Sequence, residues 1–163
     1  MPSRKTKKSR SPAARLQTQQ ELERLLGYAF KDPRLLQEAL QSAGNGVTKI
    51  GDHGILDGNK RLAMLGDGIL STVILCNWYH KRHETRCTGS RDMAQLACNR
   101  HLVQCGRNCG LEKYINKHRA FVNGEVPPVT MSATVEALIG AVFLDSGKRH
   151  DAAELAMKGL GVI

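Results

Sequence analysis

The sequence predicts an all-α domain. Apolar residues recur at helical spacing along most of the chain, helix start and stop residues punctuate it, and no stretch alternates polar and apolar residues as a strand would. The 163 residues allow one domain and a tail, and 41% hydrophobic residues suffice for a core. No internal repeat is visible, and no apolar run reads as long enough to span a membrane.

The elements follow in order. Residues 19–29 place Leu22, Leu25 and Leu26 on one helical face. Asp32-Pro33 is a start signal, Asp as N-cap and Pro in the first turn, for a helix running to about Leu40. Residues 42–58, rich in Gly, Asn and Asp, read as a loop. From 59 to 81, Leu62, Leu65, Ile69 and Val73 mark the buried face of a long helix. Gly66 and Gly68 inside it cost about 1 kcal/mol each against Ala, so close approach of another helix or a metal site is expected there. A further helix covers 90–106, closed by Gly106 or Gly110. Residues 111–115 form a short turn and 116–129 a loop ending in Pro127-Pro128. Helices over 132–144 and 151–158 complete the chain.

Charge is unevenly placed. The net charge is +9, and Arg4, Lys5, Lys7, Lys8, Arg10 and Arg15 contribute six of it before the first acid, Glu21. A Ser/Pro/Lys/Arg segment without apolar residues cannot build a core, so residues 1–16 are expected to be a disordered basic arm and 17–163 the domain. Nuclear address, nucleic-acid arm and solubilising tail remain open; a transit peptide fits less well, because an amphipathic face is missing. Aromatics at 4% make base stacking a poor main binding mode. Five cysteines without a CxxC pair or a secretory signal point to reduced thiols and an intracellular setting, nuclear or cytoplasmic before mitochondrial.

Two stretches carry the chemistry. Asn59-Lys60-Arg61-Leu62-Ala63-Met64-Leu65-Gly66-Asp67 and Ala133-Thr134-Val135-Glu136-Ala137-Leu138-Ile139-Gly140 each put one carboxylate, Asp67 or Glu136, on a helix. Positions 60, 63 and 67 share a face, as do 133 and 136. An unpaired carboxylate among the apolar residues around Glu136 would be expensive. Taken alone, Asp67 reads as a solvated helix acid and Glu136 as an ion-pair partner.

These stretches resemble the two metal-binding helices of ribonuclease III domains, where the first reads roughly Asn-Glu-Arg-Leu-Glu-Phe-Leu-Gly-Asp and the second Asp-Thr-Val-Glu-Ala-Leu-Ile-Gly. Leu26-Gly27-Tyr28-Ala29-Phe30 with Leu35-Leu36 and Ala39-Leu40 resembles the opening helices, Gly110 to Ile115 the mid-domain turn, and Phe143-Leu144-Asp145-Ser146-Gly147 the end of the second helix. The resemblance covers about residues 19–157 in family order. It implies a ribonuclease III endonuclease-domain-like helical fold that is dimeric, acting on double-stranded or structured RNA with Mg²⁺ or Mn²⁺. It also implies a homodimer, or a heterodimer with a related domain, and no membrane. Asp67 and Glu136 match catalytic metal ligands; Ala63 and Ala133 occupy the other two ligand positions; Lys60 replaces a supporting Glu; residues 85–89 offer no Glu for a further family acid. Met64 stands where the family has a Phe that packs across the dimer interface. The residues up to Ile163 include no double-stranded-RNA-binding domain, which resembles the short Mini-III type. Two functions are expected to compete: an endoribonuclease of weak or altered activity binding one metal ion or none, and a catalytically inactive RNA-binding and dimerisation module, as partner subunit or ribosome component.

Two other groupings are weaker. Cys98, His101, Cys105 and Cys109 fall on one helical face, spread over about 16 Å, which favours core packing over zinc. His80 and His83 beside Lys81, Arg82 and Arg86 read equally as a phosphate-contacting patch or a solvated helix end.

Overall fold

The computed structural model describes residues 11–163. The first helix, α1 (Pro12–Leu26), starts earlier than the leucine spacing suggests, because Ser11 accepts a hydrogen bond from the Ala14 N–H (3.3 Å) and Pro12 opens the first turn. Arg15 is therefore helical, and the arm residues Arg4, Lys5, Lys7, Lys8 and Arg10 lie outside the described residues. Helix α2 (Pro33–Ala39) begins as expected, with Asp32 accepting from the Arg34 N–H at 3.0 Å. Asp145, from the far end of the chain, fixes the turn between these helices. Its carboxylate accepts from the Tyr28 hydroxyl and from the Lys31 and Asp32 N–H groups, each at 2.8 Å.

The loop read over 42–58 contains a small antiparallel hairpin, β1 (Lys49–Ile50) and β2 (His53–Gly54). Two residues per strand are too few to show alternation, so the purely helical reading missed it. The long helix α3 (Lys60–His80) matches its expected limits. The helix expected over 90–106 is two: α4 (Arg86–Leu96) and α5 (Asn99–Asn108), separated by an extended Cys98. No proline or glycine marks that break. It is tertiary in origin, since α4 packs on α3 whereas α5 packs on α6, and the chain must turn between them. Helix α6 (Pro128–Asp145) begins at Pro128, where a missing N–H costs nothing, and α7 (His150–Gly159) closes the fold.

The core is built around α6. Met131, Val135, Leu138, Ile139, Ala141 and Val142 are all fully buried, with α2, α3, α5 and α7 packed around them. By length and composition α3 and α6 would each be long and apolar enough to cross a membrane, contrary to the reading of the sequence, although α6 is mostly buried inside this domain.

Candidate functional site

Backbone contact between α3 and α6 makes the site. A Cβ on Gly66 would collide with the backbone carbonyl of Glu136, and one on Gly140 with that of Leu62. Glycine at both points lets the helix axes approach until main chains touch. Asp67 follows Gly66 directly, so the crossing brings it beside Glu136. Gly68 does the opposite of what its sequence suggests: nothing lies within 4 Å of where its side chain would be, so it serves no close approach within the chain.

Asn59 sets the register of the crossing. Its side chain makes no cap bond to α3. Instead its amide donates to the Ala39 carbonyl (2.8 Å) and reaches the Thr134 hydroxyl (3.4 Å), tying the start of α3 to α2 and α6. Asn59 is 2% exposed and Thr134 fully buried. Sequence reasoning quoted both residues in the motifs but gave neither a role; a buried amide and hydroxyl inside helical motifs were the available signal.

Around this crossing, Lys60 and Asp67 are exposed and Glu136 is half-buried. Ala63 and Ala133 are buried, so the two remaining positions of the expected ligand set present methyl groups packed in the core. Burial pushes the Glu136 carboxyl up to about 7, the negative charge of Asp67 pushes in the same direction, and the Lys60 ammonium partly opposes both. Glu136 therefore feels both Asp67 and Lys60.

A pair of divalent ions needs a cluster of carboxylates. Here the donors are two carboxylates, with two methyl groups and an ammonium at the neighbouring positions. No group of three or more His, Cys, Asp or Glu suited to a metal ion occurs among the described residues. The residues present do not fit a two-ion site.

Met64 is 83% exposed, and Leu75 and Tyr79 are exposed further along the same helix. The other groupings resolve differently. Cys98 lies outside α5 and is exposed. His101 contacts the Val162 carbonyl (2.9 Å), while the Cys105 and Cys109 thiols donate to the carbonyls of Gly161 (3.1 Å) and Leu160 (3.3 Å), so these three side chains bind α5 to the C-terminal segment. In the basic patch, Lys81 pairs with Glu84 (3.3 Å) and Asp92 (3.5 Å), leaving His80, Arg82, His83 and Arg86 exposed at the surface.

Residues 32–160 match the sequence model of the family described as Ribonuclease-III-like. The chain belongs to this family. It is 35% identical over 127 residues to Ribonuclease 3 of Alkalilimnicola ehrlichii, covering 75% of this chain and 51% of that protein. It is 33% identical over 125 residues to Ribonuclease 3 of Symbiobacterium thermophilum, again covering 75% and 51%. The chain thus spans about half the length of the curated relatives it matches. Its fold is similar to the nuclease domain of ribonuclease III from Campylobacter jejuni, with TM-score 0.70 and 28% identity over 86% of this chain and 94% of that one. That nuclease domain has a structurally flexible region involved in dimer formation. A ribonuclease III-type helical domain, as the motifs imply, is what the chain forms.

Proposed function

We propose that this chain is an RNA-processing domain that binds double-stranded or structured RNA as a dimer and cleaves it far more slowly than a complete ribonuclease III site would. The observation that carries the reading is the α3–α6 crossing: it brings Asp67 within electrostatic reach of Glu136, while buried alanines stand at the other positions the family resemblance assigns to ligands. Mg²⁺ commonly binds through one or two carboxylates and several waters, so one weakly held Mg²⁺ or Mn²⁺ is what this donor count suits. Lys60 opposes even that ion, and a carboxyl titrating at about 7 is half protonated at neutral pH. The exposed Met64 face supports association with a second copy or with a related domain; A-form RNA would then be held across the pair by backbone and 2′-hydroxyl contacts.

A second reading, a catalytically inactive RNA-binding and dimerisation module, is favoured by one specific observation. The Lys60 ammonium acts on Glu136 in the sense a metal ion would, partly offsetting its charge. A cleavage assay on long duplex RNA with Mg²⁺ or Mn²⁺ separates the two. Slow cutting that Asp67→Asn and Glu136→Gln abolish supports the weak enzyme; no cutting above background supports the inactive module. Rapid cutting by the unmodified chain would overturn both. Combining Ala63→Glu, Ala133→Asp and Lys60→Glu is expected to raise metal affinity and cutting together, with little from any single change, because such ligands act as a unit.

A further inference from the structure

A second concave region lies away from the α3–α6 crossing. It is a groove of about 1270 Å³ between the N-terminal half of α1, α2, the hairpin and residues 110–117. Leu36, Leu40 and Ile115 form its apolar floor, while Arg15, Lys49, Lys113 and Lys117 line it with Glu112 as the single acid. Five of the nine net positive charges belong to residues 1–10, which leaves +4 for the rest of the chain. Four cations against one acid therefore concentrate most of the domain's excess charge in this groove. Two of them already have partners: Lys117 meets Glu112 (3.6 Å) and Lys113 meets Glu21 (3.6 Å). Arg15 and Lys49 are exposed and make no ion pair among the described residues.

The groove reaches the start of α1 and adjoins the crossing. Pro12 is part of its wall. Gln41, also on the wall, accepts a hydrogen bond through its carbonyl from the Asn59 N–H (2.7 Å), and Asn59 immediately precedes Lys60.

We propose that this groove holds a single-stranded RNA segment, separate from the duplex surface at Asp67 and Glu136. The proposal rests on the RNA-binding reading above. Phosphates meet Arg15 and Lys49 at the rim. A duplex keeps its bases paired inside and presents backbone to the groove, whereas a single strand can turn its bases toward the apolar floor. The aromatic ring in the lining, Tyr114, is buried and its hydroxyl donates to Glu21 (2.5 Å), so it offers no open stacking face and contact is tolerant of sequence. Arg15 and Lys49, both without an ion pair among the described residues, suit a polyanion whose charges repeat along its length.

Fluorescence anisotropy tests this on the full chain with three probes: oligouridylate, a blunt RNA duplex, and oligoglutamate. The paired change Arg15→Glu with Lys49→Glu is expected to weaken oligouridylate binding by about tenfold or more and to flatten its salt dependence by about 0.7 per lost phosphate contact, while duplex binding holds. The milder pair Arg15→Gln with Lys49→Gln should lose less in the same order, with an unchanged melting temperature. Unchanged oligouridylate affinity overturns the proposal. Equal loss for duplex and single strand overturns the single-strand assignment, and oligoglutamate binding more tightly than RNA shows an acidic protein partner instead. Failure of the chain to bind duplex while oligouridylate binding responds to the variants would sink the duplex reading and leave the groove standing.

Discussion

Helices α3 and α6 are equally apolar, with mean hydropathy 1.3 over their most apolar stretches, yet 72% of that stretch is buried in α6 and only 33% in α3. Helix α6 is hydrophobic on most of its faces because α2, α3, α5 and α7 pack around its middle. Helix α3 uses Leu62, Gly66, Leu70, Val73 and Ile74 for the core and leaves Met64, Leu75 and Tyr79 uncovered. Apolar character alone therefore does not say where a helix sits. The surplus on α3 is the exposed face proposed above for association, and the crossing between the helices holds the two acids of the candidate site.

The largest effect is expected where the two helices touch. Gly66→Ala gains about 1 kcal/mol of helix propensity, but its Cβ meets the Glu136 backbone, which cannot yield as a side chain would. A net loss of about 2 kcal/mol or more is expected, lowering the melting temperature by roughly 5 °C or more. Gly68→Ala on the open face should instead stabilise by about 1 kcal/mol, since nothing lies near it. Thermal unfolding of both variants at low protein concentration decides the matter: equal shifts would mean the helices do not touch at Gly66.

Next comes the charge at the crossing. Glu136 titrates at about 7 in the folded chain, above the ordinary glutamate value of 4.5. Its folded-state pKa is raised, so the stability it contributes is fully present below about 4.5 and is lost as pH rises toward 7. Allowing for its partial exposure, that loss is on the order of 2 kcal/mol. Glu136→Gln should leave stability near pH 4 almost unchanged and raise it at pH 8. Melting curves showing the same shift at both pH values would remove the strained carboxyl from the account.

The smallest effect on the fold belongs to the outer face. Met64→Asp should change monomer stability by less than about 0.5 kcal/mol, because the side chain is already 83% exposed. It should nonetheless dissociate the proposed dimer, by placing a charge in its apolar interface. Light scattering reads this directly, and a dimer that survives Met64→Asp would move the interface off α3.

Much of the site was legible in the residues. Lys60, Ala63, Asp67, Ala133 and Glu136 announced themselves by spacing and resemblance, and Asp32-Pro33 by its capping chemistry. Other features gave no local signal. The break at Cys98 follows from α4 and α5 packing on different helices, and Gly68 looked like Gly66 because sequence records the missing side chain but not what would have met it. Lys49, Lys113 and Lys117 are scattered singly along the chain, so their shared groove appears only when the hairpin and the turn after α5 come together.

The sequence by itself determined the helical fold, the family and which residue types stand at the candidate site, because helix periodicity, caps and residue identity are properties of short segments. The tertiary structure decided which glycine is a contact, how far Glu136 is driven from its ordinary titration, which apolar face stays bare, and where the basic residues gather. Each depends on what lies across a gap in space between residues far apart in the chain, and burial and electrostatic coupling exist only once that gap has closed.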